Sequence, residues 1–114
     1  MKTNERGTTN TSARGSSYAR RARKDWMCNE FGDGKGAPCY RCGKYLKRGP
    51  LLEADRIIPG ELGGTYMRNN IRPCCGHCNI TTGNKVRDFL RDNRDRDYME
   101  YREELIWLCI EGKL

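Results

Sequence analysis

The chain has 114 residues, of which 36% are hydrophobic and 9% aromatic, with a mean hydropathy of −0.93 and a formal charge of +7. At that length one domain is the ceiling, and so thin an apolar supply excludes a large self-sufficient core, so an added constraint such as bound metal is expected. No apolar run is long enough to span a bilayer and no secretory signal opens the chain, so a cytoplasmic protein without membrane association is expected.

The charge is unevenly spread. Residues 1–24 carry seven Lys/Arg and one Glu; residues 35–87 carry ten against three acids; residues 88–114 carry five against eight. A basic arm and a basic middle with an acidic tail fit a polyanion that meets the first two while the tail turns away.

In chain order, residues 1–16 have almost nothing to bury and read as a disordered basic arm. Residues 17–114 read as one folded unit. A first helix is expected from Ser17 as cap to about Phe31, with Tyr18, Ala22 and Trp26 at helical spacing. Arg20, Arg21, Arg23 and Lys24 crowd its start, where the helix dipole disfavours cations. Phosphate contact explains that placement better than helix stability does. Gly32 to Gly36 breaks the helix. Lys44 to Pro50 reads as a basic linker. Leu51 to Ile58 reads as a strand ended by Pro59-Gly60, with Glu53 and Asp55 on one face and Leu52, Ala54 and Arg56 on the other. A short second strand is expected within Thr65–Ile71, then a helix from Asn79 or Thr82 to Asp92. A last helix covers about 95–110, with Tyr98, Tyr101, Leu105 and Leu108 as its apolar face, a core or dimer contact.

The cysteines carry the strongest pattern. Pro38-Cys39-Tyr40-Arg41-Cys42-Gly43 and Cys75-Gly76-His77-Cys78 are two Cys-x2-Cys knuckles. Each supplies two thiolates at a fixed bite, and tetrahedral zinc takes four. Seven cysteines cannot all pair as disulfides, and a reducing compartment disfavours them. The ligands named are Cys39, Cys42, Cys75 and Cys78. Cys74 and His77 share the spacing and form a shifted alternative, less suited to a site whose first pair is thiolate. Cys28 and Cys109 read as small apolar residues in helices.

Between and around the knuckles lie Asp-Arg-Ile-Ile-Pro, Gly-Gly-Thr-Tyr, Asn-Ile-Arg-Pro and Cys-Gly-His-Cys-Asn. This run, Cys39 to Asn79, resembles the HNH endonuclease family, and within it the small phage-encoded members. The resemblance also favours Cys75/Cys78 as the second zinc pair. It implies an α+β, zinc-stabilised ββα-metal fold with flanking helices, its core motif over 39–92. It implies a DNA endonuclease with one catalytic Mg²⁺ or Mn²⁺ beside the structural Zn²⁺. By position, Asp55 and Asn79 match the catalytic-ion ligands, and Asn70 matches the asparagine that ties the loop together. Arg68, Arg72, Lys85 and Arg87 join the arm and first helix as expected DNA contacts. Beyond DNA, a second copy of the chain or a phage packaging or replication complex is the partner the reading allows, in the host cytoplasm.

One position departs from the family. Arg56 stands where a histidine general base is usual, and a guanidinium cannot take a proton from water. Three readings follow: a nuclease whose water is activated otherwise, with Arg56 gripping phosphate; a catalytically impaired DNA-binding module; or an accessory subunit of a larger complex. His77, Tyr66 and Glu53 are the substitute bases that the sequence offers.

Overall fold

The computed structural model describes residues 15–114. Its first element, helix α1, spans Ser17–Phe31, and its cap is Ser16 rather than Ser17: the Ser16 hydroxyl accepts from the Ala19 N–H at 3.1 Å. Such a side chain satisfies one of the donors a helix start leaves unpaired. The arm expected over 1–16 lies, apart from Gly15 and Ser16, outside the described residues. At the far end α1 stops at Gly32. A Cβ there would sit 1.8 Å from the Gly36 carbonyl oxygen, so only glycine lets the following chain fold back against the helix.

That fold-back starts a hairpin which the sequence pattern did not suggest. Strand β1, Gly36–Pro38, pairs antiparallel with β2, Tyr45–Lys47, inside what read as a basic linker. The first cysteine knuckle is the turn between them. Gly43 takes φ +82°, a conformation that would strain any side chain, and its N–H donates to the Cys39 carbonyl at 2.8 Å.

The second hairpin pairs β3, Glu53–Arg56, with β4, Ile71–Cys74, in the register Glu53↔Cys74, Asp55↔Arg72, Arg56↔Ile71. Both boundaries differ from expectation. The first strand is half the expected length. The second begins where the expected one ends, because residues 65–67 are irregular and Arg68–Asn70 forms a 3-10 turn. Helix α2 then runs Gly76–Asp92, starting three residues before Asn79. The earlier start puts Cys78 and Asn79 in its first turn. Helix α3 spans Tyr98–Ile110, capped by the Asp97 side chain. The described residues thus form three helices and two two-stranded antiparallel sheets, an α+β arrangement. None of the helices among them is long and apolar enough to cross a membrane.

The buried side chains fall into two clusters. One joins Met27 and Cys28 of α1 to Ala37, Cys39, Leu46, Leu52, Ile71 and Cys74 from both hairpins. The other joins Leu62 and Val86 to Leu105 and Cys109 of α3. On α3 the buried line therefore runs through Leu105 and Cys109, while Tyr98 and Trp107 are about half exposed.

Candidate active site and metal centre

The two knuckles converge. The Sγ atoms of Cys39, Cys42, Cys75 and Cys78 all lie within 4.8 Å of one another. Tetrahedral zinc with Zn–S of about 2.3 Å separates its sulfurs by about 3.8 Å, so a small inward movement would make the cage. The donor set is the soft, closed type that suits a structural zinc. Cys74 stands outside it, fully buried, with its Sγ 3.9 Å from that of Cys39. His77 is exposed and lines a separate groove with Leu46 and Leu51. The shifted Cys74/His77 pair is thus not the one that gathers with Cys39 and Cys42.

The backbone prepares the cage for negative sulfur. Burial raises the Cys39 thiol, but N–H groups of Cys42, Cys75 and Arg41 outweigh it and bring its pKa down to about 6. The Cys75 N–H lies 3.4 Å from the Cys39 sulfur, and the Cys78 N–H 3.4 Å from that of Cys75. Cys78 moves the other way, to about 12, chiefly because its thiol hydrogen-bonds the Cys75 side chain. Protons left among clustered thiols would have to leave when a cation binds.

The first knuckle also reaches sideways. The Tyr40 N–H donates to the Pro73 carbonyl at 2.9 Å, which fixes the knuckle onto β4. From there the Tyr40 hydroxyl donates to Asp55 Oδ2 at 2.8 Å and Arg41 Nε donates to the same oxygen at 3.1 Å. Asp55 is only 8% exposed. Burial, then the neighbouring Asp55 charge, pushes the Tyr40 hydroxyl well above its usual range, so it stays a donor. The sequence offered no sign of these partners, because the two middle positions of a Cys-x2-Cys turn face whatever the fold sets beside them.

Asn79 is held differently. Its Nδ2 donates to Glu53 Oε1 at 2.7 Å. Glu53 and Asp55, expected on a shared face, thus engage opposite neighbours: Glu53 the start of α2, Asp55 the first knuckle. Asn79 and Asp55 nonetheless line one cavity of about 240 Å³, together with Arg41, Arg56, Tyr66 and Arg87. A second cavity of about 350 Å³ adjoins it through Ala54, Tyr66 and Asn79, and is lined by Arg20, Arg23, Lys24 and Glu53. At their seam the Tyr66 ring carries two guanidiniums, Arg23 at 4.7 Å and Arg56 at 4.5 Å from its centroid.

Asn70 closes the loop between β3 and β4. Its Oδ1 accepts from the Ile58 N–H at 2.9 Å, and its Nδ2 donates to the Ile58 and Thr65 carbonyls at 3.1 and 2.8 Å. Gly64 lies beneath this knot, where a Cβ would be 1.6 Å from the Ile58 oxygen. The remaining basic residues are scattered. Arg21 lines a groove with Asp25 and Arg48. Arg68 and Arg72 lie over the rings of Trp26 and Phe31, and Lys85 donates to the Leu114 carbonyl at 2.9 Å. None of these four lines either cavity.

The cage, the Asn70 knot and the whole cavity lining except Cys109 fall between residues 39 and 94. No curated protein and no solved structure matches the chain. The model of a family described as HNH endonuclease matches residues 39–94, and over that segment the chain is similar to the HNH endonucleases.

Proposed function

We propose that the chain is a divalent-ion-dependent endonuclease that hydrolyses DNA phosphodiester bonds, with a structural zinc in the four-cysteine cage. The observation that carries the reading is the cavity shared by Asp55, Asn79 and Arg56 inside the family-matched segment. Its donors suit a hard cation. Both bonds to Asp55 fall on Oδ2, leaving Oδ1 as a ligand atom. Asn79 uses its Nδ2 on Glu53, leaving its amide oxygen. Two protein oxygens leave room for water and a phosphate, the coordination that Mg²⁺ and Mn²⁺ accept. Such an ion would polarise the scissile phosphate and lower the pKa of the attacking water.

The chain's own groups do the rest. Asp55 is held by Tyr40 and Arg41, and Asn79 by Glu53, so neither has to be ordered when substrate arrives. Arg56 and Arg87 face the cavity as permanent cations and neutralise charge that gathers on the non-bridging phosphate oxygens. Arg56 cannot serve as the base. His77 lines another groove, so an imidazole base is not what this cavity offers among the described residues. Arg20, Arg23 and Lys24 in the adjoining cavity extend the basic track for the strand. These are backbone contacts, which give affinity without base choice and weaken steeply with salt.

The test is plasmid nicking across a Mg²⁺ and Mn²⁺ titration. Asp55→Ala is expected to lower the rate at least a hundredfold at unchanged zinc content, and cutting at the wild-type rate would refute the site. The lack of a cavity histidine favours one second reading, a DNA-binding module without chemistry. Zinc-loaded wild type that binds DNA yet never nicks it at any ion concentration would establish that one instead.

A further inference from the structure

Holding Asp55 in place does not exhaust what Arg41 does at the cavity. Its Nε lies 3.1 Å from Asp55 Oδ2, and the two side chains are 16% and 10% exposed. Water therefore screens this pair far less than it would a surface pair. Arg41 also lines the cavity itself, where three arginines, Arg41, Arg56 and Arg87, face two carboxylates, Asp55 and Glu61. A divalent cation entering beside Asp55 thus meets a fixed positive charge on the same carboxylate and an excess of positive charge around it. The adjoining cavity adds Arg20, Arg23 and Lys24 against Glu53.

We propose that Arg41 is a positioning residue and the resident counter-ion of Asp55, and that it makes divalent-ion binding conditional on a nucleic-acid phosphate. This rests on the nuclease reading and deepens it. In the free protein Arg41 satisfies the buried carboxylate, which would otherwise be an unpaired charge. The same guanidinium holds the ion's affinity down. A phosphate in the cavity brings negative charge to the arginines and oxygen ligands to the ion, so ion and strand bind as a pair. By linkage, the factor by which DNA tightens the ion equals the factor by which the ion tightens DNA. The cavity is thereby kept from charging with metal until substrate is present.

The experiment is a Mn²⁺ binding titration read by electron paramagnetic resonance of free Mn²⁺, on zinc-loaded protein with and without an oligonucleotide, with Asp55→Ala plus the same oligonucleotide as background. Wild type is expected to bind Mn²⁺ at least tenfold more tightly with DNA present. Arg41→Met, with zinc content unchanged, is expected to bind Mn²⁺ at least tenfold more tightly than wild type without DNA, and Arg41→Lys, which keeps the charge, is expected to track wild type. If DNA leaves the wild-type affinity unchanged, the inference falls whether or not the Met variant folds. If Asp55→Ala abolishes Mn²⁺ binding but Arg41→Met does not tighten it, the inference falls and the nuclease reading stands. Equal Mn²⁺ binding by wild type and Asp55→Ala would overturn both.

Discussion

The two buried clusters are built on different principles. The N-terminal one draws on α1 and both hairpins, and six of its eight residues are completely buried. Its strands are only three or four residues long, too short to persist alone, and the cysteine cage ties the two hairpins to the start of α2. The C-terminal cluster has four buried residues, none of them from the cage or from a strand. The cavity lies between them: Ala54 and Asp55 come from the first side, Val86 and Cys109 from the second. One side would carry the proposed chemistry on a frame that bound zinc would cross-link, and the other is a wall held mainly by packing.

That contrast breaks most sharply at the cage. Cys42→Ser removes one of four thiolates, and structural zinc sites of this kind contribute roughly 10–16 kcal/mol of apparent folding free energy. The expected outcome is loss of the cooperative fold, read by circular dichroism during a zinc titration. A variant that melts like wild type without zinc would show that the first cluster stands on packing after all. The matching cut on the other side is Leu105→Ala. Leu105 is fully buried, and such truncations cost about 2–5 kcal/mol. Denaturant unfolding should shift by that amount while zinc stoichiometry stays at one. Loss of zinc in Leu105→Ala would show that the two sides are a single cooperative unit.

How much of this was legible beforehand follows the same division. Cysteine spacing marks the cage directly, because metal geometry depends on few residues and short separations. Helices α1 and α3 were readable from periodicity to within one to three residues, while α2 begins three residues before Asn79 and six before Thr82, the two starts expected. The first hairpin was not, since three-residue strands such as Gly36–Pro38 hold no alternation to read. Nor was the second strand, where Asn70 spends its side chain on Ile58 and Thr65 and keeps residues 65–67 out of the ladder. The grip on Asp55 was the furthest from reach. Tyr40 and Arg41 lie fourteen or more residues upstream of it and meet it only once both hairpins have folded.

A smaller effect is expected at Asn70. Asn70→Ala deletes three hydrogen bonds in a partly exposed loop, each worth about 1 kcal/mol net, so a loss of about 1–3 kcal/mol is expected. Amide exchange should quicken at Ile58, whose N–H loses its acceptor, and not in α3. Faster exchange in α3 as well would mean that the loop knot also braces the wall.

The smallest effect belongs to the wall's own surface. Arg96 donates to Asn93 Oδ1 at 2.7 Å, to Glu100 at 3.1 Å and to Glu104 at 2.9 Å, bridging the end of α2 to α3. These contacts face water, where ion pairs are screened and cost side-chain freedom to hold. Arg96→Ala is expected to lower Tm by roughly 2 °C or less in dilute buffer, and by nothing measurable in about 0.5 M salt. A large, salt-insensitive fall would mean that α3 is fixed by its polar bridge and not by Leu105 and Cys109, and the picture of a wall held by packing would have to be redrawn around the turn at Asn93.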